Sequence, residues 1–236
     1  MKQPVIFKDL FEMEYGEAWE YQEKLLLENT SKKSEASKNN TLAETIHHLL
    51  FCEHPPVFTL GKSGKEEHVL ISKDELLKRN IGYYPTNRGG DITFHGPGQI
   101  VGYPILDLEK FYRDIGKYLR NLEEVIILTL AHYGIKGERS PGETGVWIDP
   151  DIKIKARKIC AMGVRCSRWV TMHGFALNVN TDLSYFASIV PCGIPDKQVT
   201  SLNKELGHGL SMEEVKAIVK SNFEKVFDCE LVSQLI

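Results

Sequence analysis

Three strand-like runs, TGVWID (144–149), KICAMGVR (158–165) and TMHGFALNVN (171–180), follow one another with no helical segment between them. Helices stand outside this cluster. FYRDIGKYLRNLEEVIILTLAHYG (111–134) has apolar residues at 111, 112, 115, 118, 119, 122, 125, 126, 130 and 133, a 3.6-residue period that Gly134 ends. A second helix is expected from Ser211, which with Glu214 forms a capping box, to about Phe227; its apolar stripe is 212, 215, 218, 219, 223 and 226. Strands massed in the middle and helices toward the ends make an α+β pattern, not a regular βαβ alternation.

The N-terminal third fits the same class. VIFKDL (5–10) reads as a short strand and GEAWEYQEKLLLEN (16–29) as a helix. TSKKSEASKNN (30–40) is polar and of low complexity, and is read as a flexible surface loop. Two apolar runs, 46–52 and 57–60, are strand-like and separated by Pro55-Pro56. Ser72 and Glu75 cap a short helix, DELLKRN, and IVGYPILDL (100–108) is a candidate buried strand. Without a repeat or a linker, one domain over residues 1–236 is expected.

Composition narrows the function classes. A net charge of −3 and a pI near 6.3 argue against non-specific nucleic-acid binding, which needs a basic surface. No run of about 18 apolar residues occurs, so no transmembrane helix is expected. The N-terminus lacks the apolar core of a signal peptide, and a cytoplasmic protein with reduced thiols is the expectation. The cysteines at 52, 160, 166, 192 and 229 form no Cys-x-x-Cys pair, which disfavours a zinc site or a disulfide framework.

Chemistry is sought in the loops. NRGGDITFHGPGQ (87–99) holds five glycines or prolines in thirteen residues, with Arg88 and His95 at the ends of a short strand, Asp91–Phe94. It reads equally as a glycine-turned hairpin and as a substrate-binding loop. It is not a P-loop, and Gly61-Lys62-Ser63 fails as one because Pro56 stands where the first glycine belongs. Lys158 opens an apolar strand, where a solvated charge is the commonest role. Cys160 and Cys166 read as structural thiols. Cys192 differs. In SIVPCGIPD (188–196) Pro191 fixes one flank and Gly193 frees the other. That setting suits an exposed, held nucleophile, although a loop thiol with no task is the commoner case. A thiol nucleophile needs an activator, and His95, His173 and Lys158 are the candidates.

Taken together, EHPPVFTLG (53–61), RGGDITFHGPGQIVGYPILDL (88–108), KICAMGVR (158–165), HGFALNVNTDL (173–183) and IVPCGI (189–194) resemble the lipoyl(octanoyl) transferase family, in order from about residue 42 to 203. The resemblance implies the catalytic fold of biotin and lipoate protein ligases and class II aminoacyl-tRNA synthetase cores, a mixed, largely antiparallel sheet flanked by helices. It implies transfer of octanoyl from octanoyl-acyl carrier protein to a lysine of lipoyl domains. The acceptors would be 2-oxoacid dehydrogenase acyltransferase subunits and the glycine cleavage H protein. No cofactor or metal, no nucleic acid and no membrane would take part. It places the nucleophile on Cys192 and its paired lysine on Lys158. Substrate contacts fall on Arg88, Gly89, Gly90, Asp91, Ile92, Thr93, Phe94 and His95, on Ala161, Met162 and Gly163, and on Gly174, Phe175 and Ala176. Met162 and Phe175 are expected to supply contact area. Two departures from the family pattern stand out: the 30–40 insert, and Asn87 where many relatives have a second basic residue.

Such an enzyme would pass the acyl group through a Cys192 thioester. A unit charge ~4 Å away contributes about 4 kcal/mol at an effective dielectric near 20, so Lys158 would favour the thiolate and then shuttle a proton. An ATP-dependent lipoate or biotin ligase on the same fold would need no cysteine, and no GRGRxGR-type loop appears. A non-catalytic carrier-binding module is the other alternative, told apart by failure to form an acyl-enzyme.

Overall fold

The computed structural model describes residues 2–190 and 198–234. In chain order the elements are β1 (Gln3–Glu12), α1 (Tyr15–Asn39), β2 (His47–Glu53), β3 (Val57–Leu60), α2 (Lys73–Lys78), β4 (Gly82–Pro85), β5 (Ile92–His95) and β6 (Gln99–Ile105). They continue with α3 (Ile115–His132), β7 (Val146–Ile148), β8 (Arg157–Ser167), β9 (Val170–Asn178), β10 (Gln198–Val199), α4 (Leu202–Leu206), α5 (Met212–Phe227) and β11 (Cys229–Val232).

The larger sheet runs β10-β8-β9-β6-β2-β1-β11, with β7 paired to β8. Its centre, from β8 through β9 and β6 to β2, is antiparallel. Its margins are parallel: β10 on β8, and β1 between β2 and β11. A smaller sheet, β4-β3-β5, stands beside it. Period-2 alternation sorts the large sheet's side chains. Leu49, Phe51, Ile100, Phe175 and Leu177 face the core under α3 and α5; Leu50, Cys52, Val101, Tyr103 and Ala176 face the opposite layer under α1.

The capping signals are where the sequence puts them. Ser72 and Ser211 each accept a backbone N–H of the first turn. The long helix begins at Ile115, not at 111, because Asp114 caps it and Leu108–Lys110 form a separate 3₁₀ turn. The reading of 30–40 as a flexible loop is wrong: α1 continues to Asn39. No glycine or proline interrupts residues 17–54, so nothing breaks the helix. Tertiary contacts then hold its polar end. Asn29 bonds both backbone groups of Ile46, at 2.7 and 2.8 Å, and Lys33 pairs with Asp107 and Glu109. Asn40, at φ 53°, closes the helix in the left-handed conformation.

Candidate active site

A cavity of about 630 Å³ opens between the α1-facing side of the large sheet and β5 of the small one, with Tyr15 of α1 on its wall. It is lined by Lys158, by Arg88, Gly89, Gly90, Asp91, Ile92, Thr93 and His95, and by all of 161–163 and 174–176. Segments more than 80 residues apart in the chain thus meet because β8, β9 and the loop before β5 share one space.

Phe94 is the exception among the expected contact residues. Its side chain belongs to the core of the small sheet instead. It is fully buried, stacked on Tyr185 at 4.5 Å and edge-on to Phe58 and Phe186. Met162 and Phe175 line the cavity, but their side chains serve the core beneath the sheet: Phe175 is 2% exposed with its ring against Phe51, and Met162 packs on the same cluster. The small residues Ala161, Gly163 and Ala176 leave the open volume.

The loop over this surface is held by Arg88, which donates to the Thr59 carbonyl at 2.6 Å, the Thr59 hydroxyl at 3.0 Å and the Gly89 carbonyl at 3.0 Å. Two glycines admit it. A Cβ on Gly61 would stand 2.3 Å from the Gly90 carbonyl oxygen, and one on Gly163 2.6 Å from that of Gly89.

Buried hydrogen bonds fix the state of each cavity histidine. The Gln99 amide donates to the Phe94 carbonyl at 3.1 Å and to Asn178 Oδ1 at 2.8 Å, so its oxygen accepts from His95 Nδ1–H at 2.8 Å. The other ring nitrogen of His95 accepts from the Thr59 hydroxyl at 3.2 Å. Burial, with the His54 ring beside it, holds His95 well below the ordinary histidine range. With both nitrogens engaged it positions and does not act as a base. The chain of bonds runs on: Asn178 donates to the Thr200 carbonyl at 3.0 Å, and Thr200 N–H to the Lys158 carbonyl at 2.9 Å. His54 donates to the Met13 carbonyl and accepts from the Tyr103 hydroxyl at 2.6 Å, a hydroxyl on the cavity wall.

His173 also lines the cavity. Its Nε2–H donates to Asn87 Oδ1 at 2.7 Å, and the Asn87 amide donates to Glu23 at 2.8 Å, so Asn87 relays an anchor from α1. Burial, then the charges of Arg88 and Arg165, lower its pKa to about 3. As neutral, fixed rings, neither His95 nor His173 is suited to activate a thiol.

Lys158 is half-buried, its Nζ 4.6 Å from the centre of the Trp147 ring, which β7 sets opposite it in register. Cys192 lies outside the described residues. The chain on either side of its segment is anchored: Val190 N–H bonds the His68 carbonyl at 2.9 Å, and Val199 pairs with Lys158 in the β10–β8 ladder. Cys52, Cys160 and Cys229 are buried. Burial pushes all three thiols up, Cys52 and Cys229 to about 12. Cys166 is exposed, eight positions along β8 from Lys158.

Comparison with known proteins shows the family. The model of the lipoyl protein ligase A/B catalytic domain matches residues 14–224. The chain belongs to this family. It is 56% identical over 235 residues to an octanoyltransferase of Christiangramia forsetii, covering 99% of this chain and 100% of that one. With an octanoyltransferase of Cytophaga hutchinsonii it shares 54% over 230 residues, 96% and 94% of the two chains. Within the family it stands with the octanoyltransferases, which are acyltransferases. Solved structures show how widely the fold is shared. A bipartite lipoate protein ligase of Thermoplasma acidophilum superposes with a TM-score of 0.69 at 18% identity, over 99% of this chain and 88% of that one. A biotin protein ligase of Aquifex aeolicus gives 0.52 at 13%, over 97% and 70%. No helix among the described residues is long and apolar enough to cross a membrane.

Proposed function

We propose that the protein transfers octanoyl from octanoyl-acyl carrier protein to a lysine of lipoyl domains, through a thioester on Cys192. The acceptors are the acyltransferase subunits of 2-oxoacid dehydrogenases and the glycine cleavage H protein, the setting is the cytoplasm, and the chain works as one catalytic domain. One observation carries the reading: Lys158 lines the same cavity as the 88–93, 161–163 and 174–176 segments, and the strand that follows Cys192 is paired alongside Lys158. The raised pKa of the three buried thiols supports it, since they stay protonated at neutral pH.

In the first half-reaction the Cys192 thiolate attacks the carrier thioester. A new carbon–sulfur bond forms, the bond to the carrier thiol breaks, and Lys158 hands that thiolate a proton. In the second, the acceptor lysine attacks the acyl-enzyme as its neutral amine. The carbon–nitrogen bond forms, the Cys192 thiolate leaves, and Lys158 takes the amine proton. Octanoyl lies over Ala161–Gly163 and Gly174–Ala176, where each buried methylene contributes about 0.8 kcal/mol.

Intact-protein mass spectrometry with octanoyl-carrier protein, without ATP or acceptor, tests the proposal. One octanoyl adduct is expected on the wild type and none on Cys192→Ala; a lipoyl domain should then discharge it. An unmodified wild type would refute the thioester route. Lys158→Arg keeps the charge but cannot shuttle a proton, so acylation should persist in part and transfer be lost. Equal loss of both half-reactions would overturn that division of roles.

A further inference from the structure

The cavity reaches both faces of the large sheet. Tyr15 of α1 lines it, and so do Leu119 of α3 and the 142–144 loop, which belong to the opposite layer. The crossing lies where β8 begins. Ala161 pairs with Ala176 under α1, whereas Cys160, one step nearer Lys158, packs with Val146 under α3. The 142–144 loop stands against Lys158: a Cβ on the next residue, Gly145, would lie 3.6 Å from Lys158 Cε. This second arm of the cavity has a fixed wall. Glu138 and Trp147 exchange both backbone bonds, at 2.8 and 2.9 Å, and close the loop at its base. Glu123 of α3, its side chain 0% exposed, accepts the Gly145 N–H at 3.0 Å and is paired with Arg120 at 2.9 Å and Arg139 at 3.0 Å. The transfer chemistry above makes no use of this carboxylate; what it holds in place is the wall beside Lys158. On that wall the Thr144 hydroxyl is partly exposed and makes no hydrogen bond among the described residues.

Exposure along the lining shows which way each part of a thioester runs. Among the described lining residues the exposed ones are Ser63 and Gly90 at one end and Gly142 at the other. The first end is far from the chemistry: Gly89 N–H bonds the carbonyl of Val164, six positions along β8 from Lys158, roughly 20 Å at strand rise. An extended octanoyl chain of seven carbon–carbon bonds spans roughly 9 Å, so one that leaves Lys158 along Ala161 ends inside. Val101, Tyr103 and Ala176, all buried, enclose that side. The other substituent of the thioester must then leave past Gly142. We propose that Leu119 and the 142–144 loop form the channel for the carrier's pantetheine arm, with its methylenes on Leu119 and an amide on the Thr144 hydroxyl. The inference rests on the acyl-enzyme reading above and names the subsite of its donor. The apolar chain and the amide-bearing arm are thereby kept on opposite faces of the sheet, each against a lining of its own polarity.

The test measures the rate of acyl-enzyme formation by intact mass with octanoyl thioesters of carrier protein, of pantetheine and of ethanethiol, the last having no arm. The wild type should use the pantetheine ester at least about tenfold better than the ethanethiol ester. Leu119→Trp, which fills the channel from a partly exposed helix position, should lower that ratio about tenfold and leave the hexanoyl-to-octanoyl ratio within about twofold. Thr144→Val, which removes only the hydroxyl, should lower the pantetheine-to-ethanethiol ratio about threefold, and reads the channel even if the tryptophan variant does not fold. Ala161→Leu should do the opposite, raising the hexanoyl-to-octanoyl ratio about tenfold with the arm ratio unchanged. A wild type indifferent to the arm, an arm ratio unmoved in the folded variants, or a Leu119→Trp effect on chain length instead would overturn the inference while leaving octanoyl transfer intact. If octanoyl-carrier protein gives no adduct on the wild type, the acyl-enzyme reading falls, and this one with it.

Discussion

Gln99 is the residue whose loss can be worked through most fully. It is 1% exposed and joins β5, β6 and β9 through three bonds: it accepts from His95 Nδ1–H at 2.8 Å and donates to Asn178 Oδ1 at 2.8 Å and to the Phe94 carbonyl at 3.1 Å. Gln99→Leu keeps nearly the same volume and removes all three. Two groups are then left buried with no other partner for that function, the His95 N–H and the Asn178 amide oxygen. Each costs about 1–3 kcal/mol when orphaned, so the variant should lose about 2–6 kcal/mol. At roughly 2–4 °C per kcal/mol for a chain of this size, the melting temperature should drop by roughly 5–20 °C. Gln99→Glu returns an acceptor to His95 but sets a buried carboxyl against two acceptor oxygens, and should lose at least as much at pH 7. Urea unfolding at pH 7, with the slope checked to be constant, reads the loss directly. Since the chain of bonds continues through Asn178 and Thr200 to the Lys158 carbonyl, acylation at a temperature where the variant is folded should also slow. A loss below 1 kcal/mol at unchanged slope would refute the account of the network.

Burial lowers His47 and His54 to about 4 and His173 to about 3, with His95 lower than the usual range as well, so each binds its proton more readily unfolded. Stability is therefore complete above the unfolded value near 6.5 and is lost as pH falls from there toward 4, by up to about 3 kcal/mol per ring; a urea midpoint that stays level between pH 7 and 5 would contradict this. Gly163→Ala puts a Cβ 2.6 Å from the Gly89 carbonyl oxygen. It should displace the 88–90 loop at a cost of about 1–3 kcal/mol and cut acylation at least tenfold, read by the same mass assay. Lys33→Ala removes the cation from Asp107, whose side chain is 1% exposed but keeps the Thr45 hydroxyl. About 2–3 kcal/mol should be lost, short of the 3–5 of a wholly unpaired buried charge, and the amides of 30–39 should lose protection in hydrogen exchange. Coil-like exchange there in the wild type would argue against the extended helix.

What was legible in the sequence was whatever depends on near neighbours. Ser72 and Ser211 cap helices because a side-chain oxygen reaches an amide within the next few residues. The strands at 57–60 and 170–178, and the helix ending at Phe227, follow from periodicity, as does the α+β class. The glycine-rich 88–90 stretch read as a place where another backbone or a ligand comes close, but that Gly61 and Gly163 are what admit it appears only in the fold. Contacts between distant segments left no such trace. β11 pairs in parallel with β1, more than 200 residues away, and a four-residue run of ordinary composition does not announce it. Residues 30–39 look like loop because their stabilising partners, Asp107 and Glu109, lie elsewhere in the chain. Phe94 was placed in the site because its neighbours are, yet its ring packs among Phe58, Tyr185 and Phe186. His173 stood as one of three candidate activators. Only the packed fold shows its ring neutral, anchored through Asn87 to Glu23 and bare at Nδ1, because burial and hydrogen bonds from three separate elements decide the state of an imidazole.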